Sequence, residues 1–230
     1  MELSSSHRRV LEVVLPICDK YGLVLAGGYA MRAHGLVNRP SQDLDFATAH
    51  SMPLPEIATA VATAYRALGF EATMIEATPR MARMTILDPV TQHECELDLL
   101  KEALQQRPVL LDLIPVVALD DAVGLKVRAL YGRSVPRDLI DVAAAGQHYG
   151  FRDLERLGAL HEEEFSTGEL AIRLQATELL ADEMFEAYGM DAEAIARVRQ
   201  FAFDWLEDIK LRRVEDGDID AWLDPAAYPE

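Results

Sequence analysis

The sequence predicts an α/β head followed by an all-helical tail, and three observations lead there. Short apolar runs and alternating segments fill roughly the first hundred positions, the pattern of half-buried strands between helices. From Leu119 onward the apolar spacing becomes helical, through 119–132, 137–149, 152–164, 167–187 and 191–212. Between the two, Arg107-Pro108 and Ile114-Pro115 interrupt the chain. The expected division is an α/β (α+β) core over residues 1–113, a mixed sheet flanked by helices, and a helical C-terminal domain over 114–230. At 230 residues either part can bury a core.

Taken in order, Val10, Leu11, Val14, Leu15 and Cys18 space a helix over residues 4–21, with Ser residues to cap it and Gly22 to end it. Leu23 to Ala26 is a buried strand closed by the Gly27-Gly28 turn, with a short helix expected over 29–36. Residues 43–48 alternate Asp, Leu, Asp, Phe as a strand. An Ala-rich helix over 54–68 precedes strands at 70–76 and 81–88, separated by a Thr78-Pro79 turn. In 93–100 Cys95, Leu97 and Leu99 take one face and Glu94, Glu96 and Asp98 the other. The sheet should have about four or five short strands.

No apolar run approaches the roughly 18 residues of a membrane span, and the N-terminal segment mixes charge into its apolar residues, unlike a signal peptide. A cytoplasmic protein with no membrane partner is expected. Cys18 and Cys95 lie far apart without ligand spacing, and the six histidines form no HxxxH or HExxH pattern. A disulfide scaffold or structural zinc site is thereby excluded as an expectation. The net charge of −17 argues against a general nucleic-acid binder, but it is uneven. Residues 1–150 carry 14 Lys and Arg against 18 Asp and Glu, whereas residues 151–230 carry 8 against 21. A basic patch on the first part remains open.

Asp43 and Asp45, two apart on a strand, present their carboxylates on one side while Leu44 and Phe46 face the core. Such a pair repels unless a cation lies between, and hard oxygen ligands suit Mg2+ (or Mn2+) with substrate phosphates completing the shell. A solvated strand edge is the alternative. Gly27 and Gly28 expose backbone N–H groups to which a phosphate can come close, or they form only a tight turn. Arg39 can add a guanidinium fork to a triphosphate, and Ser41 a hydroxyl. Asp98 is a third carboxylate, suited to completing a metal site or taking a proton from an attacking hydroxyl, or else one of a polar strand face with Glu94 and Glu96. Lys126, on an apolar helix face near Val123 and Leu130, either snorkels to solvent or reaches anionic phosphate. Arg137, Asp138 and Asp141 open the next helix, where an Arg–Asp bracket between helices is the plainer reading.

Residues 25–48, LAGGYAMRAHGLVNRPSQDLDFAT, followed downstream by LKVRALYGR and RDLIDV, resemble the AbiEii/AbiGii type of toxin nucleotidyltransferase within the polymerase-β-like superfamily. The resemblance covers about residues 22–145. It implies a nucleotidyltransferase core fold, metal-binding Asp43 and Asp45, a glycine turn at Gly27 and Gly28, a lysine at Lys126 and a later aspartate at Asp141. It implies an NTP as substrate, a tRNA 3′ end as acceptor and a cognate antitoxin as partner. Tyr29, large where the family has Ser or Thr, is a departure expected to bear on the nucleotide pocket. Two rival functions keep the fold: transfer to a small molecule such as an aminoglycoside, or to a protein hydroxyl, and a non-catalytic partner-binding role. The acidic last third favours a polycationic acceptor; Arg128, Arg133 and Arg137 favour RNA.

Overall fold

A computed structural model describes residues 5–41 and 43–216. The chain divides into two compact units, Met1–Ala122 and Val123–Glu230. The first comprises α1 (Ser5–Tyr21), β1 (Val24–Leu25), α2 (Gly27–Ala33), β2 (Asp43–Thr48), α3 (Leu54–Ala67), β3 (Glu71–Ala77), β4 (Met81–Asp88), β5 (His93–Lys101), β6 (Val109–Leu111), β7 (Ile114–Val116) and the start of α4 (Leu119–Arg133). The division falls after 113/114 because the proline-bearing segment forms two further strands. Leu110 pairs with Pro115 across the β6–β7 hairpin, and Val116 pairs with Leu25.

The result is a seven-stranded mixed sheet in the order β3-β4-β5-β2-β1-β7-β6. Strands β2 and β5 are parallel, as are β1 and β7, and the remaining neighbours are antiparallel. Alternation assigns the two faces. Leu44 and Phe46 of β2, Ala82, Met84 and Ile86 of β4, and Cys95, Leu97 and Leu99 of β5 are buried. Against them pack Val10, Leu11, Val14 and Cys18 of α1 and Ile57, Ala58, Val61 and Tyr65 of α3. Tyr65 satisfies its hydroxyl in that apolar layer by donating to the Val10 carbonyl at 2.7 Å. The in-between residues of the same strands, Asp43, Asp45, Arg83, Glu96 and Asp98, therefore share the opposite face. At the start of α4, buried Asp121 accepts the backbone N–H groups of Gln105 and Gln106 at 3.0 and 2.9 Å, fixing the loop into β6.

The second unit continues α4 and adds α5 (Pro136–Ala145), α6 (Phe151–Ala159), α7 (Thr167–Ala176), a 3-10 turn (Thr177–Leu179), α8 (Asp182–Glu186) and α9 (Ala192–Glu215). Its buried residues include Val123, Val127, Leu130, Leu154, Leu157, Leu174, Phe185 and Trp205. Trp205 stacks on Phe151 with centroids 5.7 Å apart and donates its indole N–H to Glu155 at 2.9 Å, and Arg212 closes on the same carboxylate. The helix expected over 167–187 is broken after Ala176. Arg199 of α9 donates to the Leu180 carbonyl, a group that a continuous helix would have satisfied itself, and to the Asp182 carboxylate, both at 2.6 Å. Helices α5 and α6 end at Ala145 and Ala159, earlier than expected. Among the described residues no helix is long and apolar enough to cross a membrane.

Candidate active site

The glycine turn and the carboxylate strand are one physical object. Ala26 donates its N–H to the Asp45 carbonyl at 2.8 Å, which draws the end of β1 onto β2. Gly27 follows with φ +56°, a conformation that L side chains rarely adopt. A Cβ at Gly27 would overlap Asp45 Oδ2, and one at Gly28 would lie 2.6 Å from Ser41 Oγ and 3.2 Å from an Arg39 guanidinium nitrogen. The sequence-predicted residues Gly27, Gly28, Arg39, Ser41 and Asp45 thus meet at one place, and the bare Cα atoms are what let them meet. Arg39 also donates to the Pro40 carbonyl at 3.1 Å.

Strand register extends the cluster sideways. Asp43 lies opposite Glu96 and Asp45 opposite Asp98 across the parallel β2–β5 pair, so four carboxylates occupy one face of two adjacent strands. Asp98 in turn lies opposite Arg83 of β4. Arg83 grips it with Nε to Oδ1 at 2.8 Å and Nη2 to Oδ2 at 2.6 Å, and reaches Glu96 Oε1 with Nη1 at 3.2 Å. The hydrogen bond to Asp98 and the charges of Asp98, Glu96 and Asp43 outweigh partial burial and push this guanidinium above its already high pKa. Among the described residues no three His, Cys, Asp or Glu side chains gather closely enough to hold a metal by themselves. The donor set that fits a divalent cation is the Asp43–Asp45 pair, with substrate oxygens for the remaining ligands.

Lys126 and Asp141 belong to a second cluster. Lys126, 9 % exposed at its side chain, places Nζ 2.8 Å from Asp141 Oδ2 and 3.3 Å from Asp138 Oδ1. Arg133 binds Asp138 through Nε at 2.6 Å and Nη2 at 3.1 Å. Both aspartates are fully buried. Burial works to raise the Asp138 pKa, but Arg133, Lys126 and Arg137 overcome it, and the carboxyl sits below its ordinary value. The bracket expected between α4 and α5 is present, made by Lys126 and Arg133 from α4 with Asp138 and Asp141 from α5.

One site residue escaped the sequence, and so did the burial of another. Arg83 carries no motif and is found only through the β4–β5 register. Asp138 stood in the RDLID segment, where its polarity alone could not say that it would be buried. Tyr29, the residue after the glycine pair, is buried on α2. Its ring is 2 % exposed, turned into the core, and its hydroxyl meets His7 Nδ1 at 2.5 Å.

Comparisons with known proteins give the family and the fold. The family model described as "Nucleotidyl transferase AbiEii toxin, Type IV TA system" matches residues 19–213. No curated protein matches the chain. Among solved structures, MenT4, a nucleotidyltransferase toxin of Mycobacterium tuberculosis, superposes with TM-score 0.57 at 19 % identity, covering 87 % of this chain and 82 % of its own. JHP933 from Helicobacter pylori superposes with TM-score 0.53 at 17 % identity, covering 95 % of this chain and 100 % of its own. At such identities the likeness concerns the fold.

Proposed function

Because this chain belongs to the AbiEii family of nucleotidyltransferase toxins, we propose that it moves a nucleoside monophosphate from an NTP to a hydroxyl of tRNA, with Mg2+ or Mn2+ at Asp43 and Asp45. The observation that supports this is the close approach of Gly27 to the Asp45 carboxylate, where a Cβ would overlap Oδ2, with the glycine turn read as the phosphate cradle and the Asp43–Asp45 pair as the metal ligands. The Gly27 and Gly28 backbone, Ser41 and Arg39 hold the triphosphate. A bound divalent ion supplies neutralising charge to that triphosphate. The acceptor oxygen attacks the α-phosphorus, the bond to the β-phosphate breaks, pyrophosphate leaves and a carboxylate of the row takes the hydroxyl proton. Little covalent work is asked of the protein in such a transfer; positioning and charge do most of it.

Lys126, 2.8 Å from Asp141 and 3.3 Å from Asp138, is proposed with Asp141 as a further participant in the reaction, as the family resemblance implies. An antitoxin partner follows from the family's toxin–antitoxin setting. The test is incubation of the protein with each α-labelled NTP, Mg2+ and total tRNA, with aminoglycosides as a parallel acceptor. Label in tRNA, abolished in Asp43→Ala, supports the reading. Label in the antibiotic transfers it to the small-molecule rival, and wild-type incorporation by Asp43→Ala removes the metal role.

A further inference from the structure

Asp98 faces two incompatible demands. Its place in register beside Asp45 suits a third metal ligand, yet both of its oxygens are already engaged by the Arg83 fork, at 2.8 and 2.6 Å. The Asp98 side chain is 7 % exposed, and that of Arg83, 34 % exposed, covers it. A guanidinium does not deprotonate at any working pH, and its planar fork matches a carboxylate edge to edge. A divalent ion moving onto Asp98 would approach a fixed positive charge and would have to dislodge a two-point contact. The same guanidinium restrains Glu96, the partner of Asp43 across the strands.

We propose that Arg83 is a positioning residue that withholds Asp98 and Glu96 from the metal, so that the row of four carboxylates accepts one divalent cation, at Asp43 and Asp45, where it would otherwise accept two. Arg83 does in fixed form what a second cation would do in exchangeable form. This rests on the metal-dependent nucleotidyltransferase reading, but its readout is independent of turnover. Arg83 also pairs neighbouring strands, and a merely structural pairing would leave metal stoichiometry unchanged.

The experiment titrates the full chain with Mn2+ alone and follows the free-ion signal by electron paramagnetic resonance. The wild-type protein should bind about one Mn2+ and Arg83→Met about two. Arg83→Lys, which keeps the charge, should return to about one. The double variant Arg83→Met/Asp98→Asn, which leaves no uncompensated buried carboxylate at position 98 and so guards against misfolding of the single variant, should lose the added ion. Two Mn2+ in the wild type, or one in a folded Arg83→Met, overturns the proposal and leaves nucleotide transfer standing. No Mn2+ in the wild type, either alone or with a non-hydrolysable NTP analogue present, overturns the proposal together with the metal reading beneath it.

Discussion

On the strand face of the head, Asp43, Asp45, Glu96 and Asp98 share one arginine, Arg83; in the tail, Asp138 and Asp141 share a lysine and an arginine between two helices. The first is a row of carboxylates along two strands, and the second pairs two aspartates with Lys126 and Arg133. The first lies on a sheet face with Asp45 partly open, and the second is closed in, with both aspartates fully buried. Like charges held close repel one another, whereas a buried set with its own counter-charges is held together by them. The head cluster is where the proposed ligands would bind, and the tail cluster is a buried bracket between two helices.

The sharpest contrast comes from removing charge at each place. Asp45→Asn keeps the size and shape of the side chain, so its folding stability should change little while nucleotide transfer falls by about 10³-fold or more, as expected when charge neutralisation and positioning carry the rate. A thermal melt and single-turnover incorporation read the two effects, and a large loss of melting temperature would erase the distinction between the clusters. In the tail, Lys126→Met takes the ammonium away from two fully buried carboxylates. It should destabilise by about 3–5 kcal/mol, the usual consequence of breaking a buried pair from one side. Denaturant titration showing less than about 1 kcal/mol would mean the bracket is not self-sufficient.

A smaller effect separates backbone geometry from charge. Gly27→Ala inserts a Cβ into the Asp45 carboxylate at a positive φ, at a cost of about 1–2 kcal/mol in strain. Transfer should drop by about 10²-fold, because a displacement of about 1 Å at the reacting centre is enough. Near-normal activity in a folded Gly27→Ala would break the link between the turn and the pair. The weakest effect is in acid. The Asp138 pKa lies below its ordinary value, so its stabilisation is full above the unfolded value near 4 and is lost as pH falls through the lower folded value. Wild type should lose stability below about pH 4 more steeply than Asp138→Asn, which is already weaker at neutral pH. Parallel acid-unfolding curves would deny Asp138 that role.

Much of this was legible along the chain. The alternation in 43–48 and 81–88 marks β2 and β4 to the residue, because one face of each strand is buried and a period of two survives in the sequence. Asp43 and Asp45 were readable for the same reason. What was hidden depends on partners remote in sequence. Strands β6 and β7 are short, include Pro115, and exist because β1 offers Leu25 to Val116. The break after α7 depends on Arg199, twenty-odd residues downstream of Thr177, and the apolar spacing runs through it unchanged. Arg83 becomes a site residue only when the β4–β5 register is known, since nothing around it in MARMTILD marks it off.

Cys18 on α1 and Cys95 on β5 lie in the layer between helices and sheet, and burial pushes both thiols up to about 12. Folded, neither offers a thiolate at neutral pH, and reagents that attack thiolates must wait for the layer to part. Both of the chain's cysteines are in the head unit. The rate of thiol labelling is thus a built-in clock for the opening of the unit that carries the carboxylates, and it is silent about the helical unit beyond.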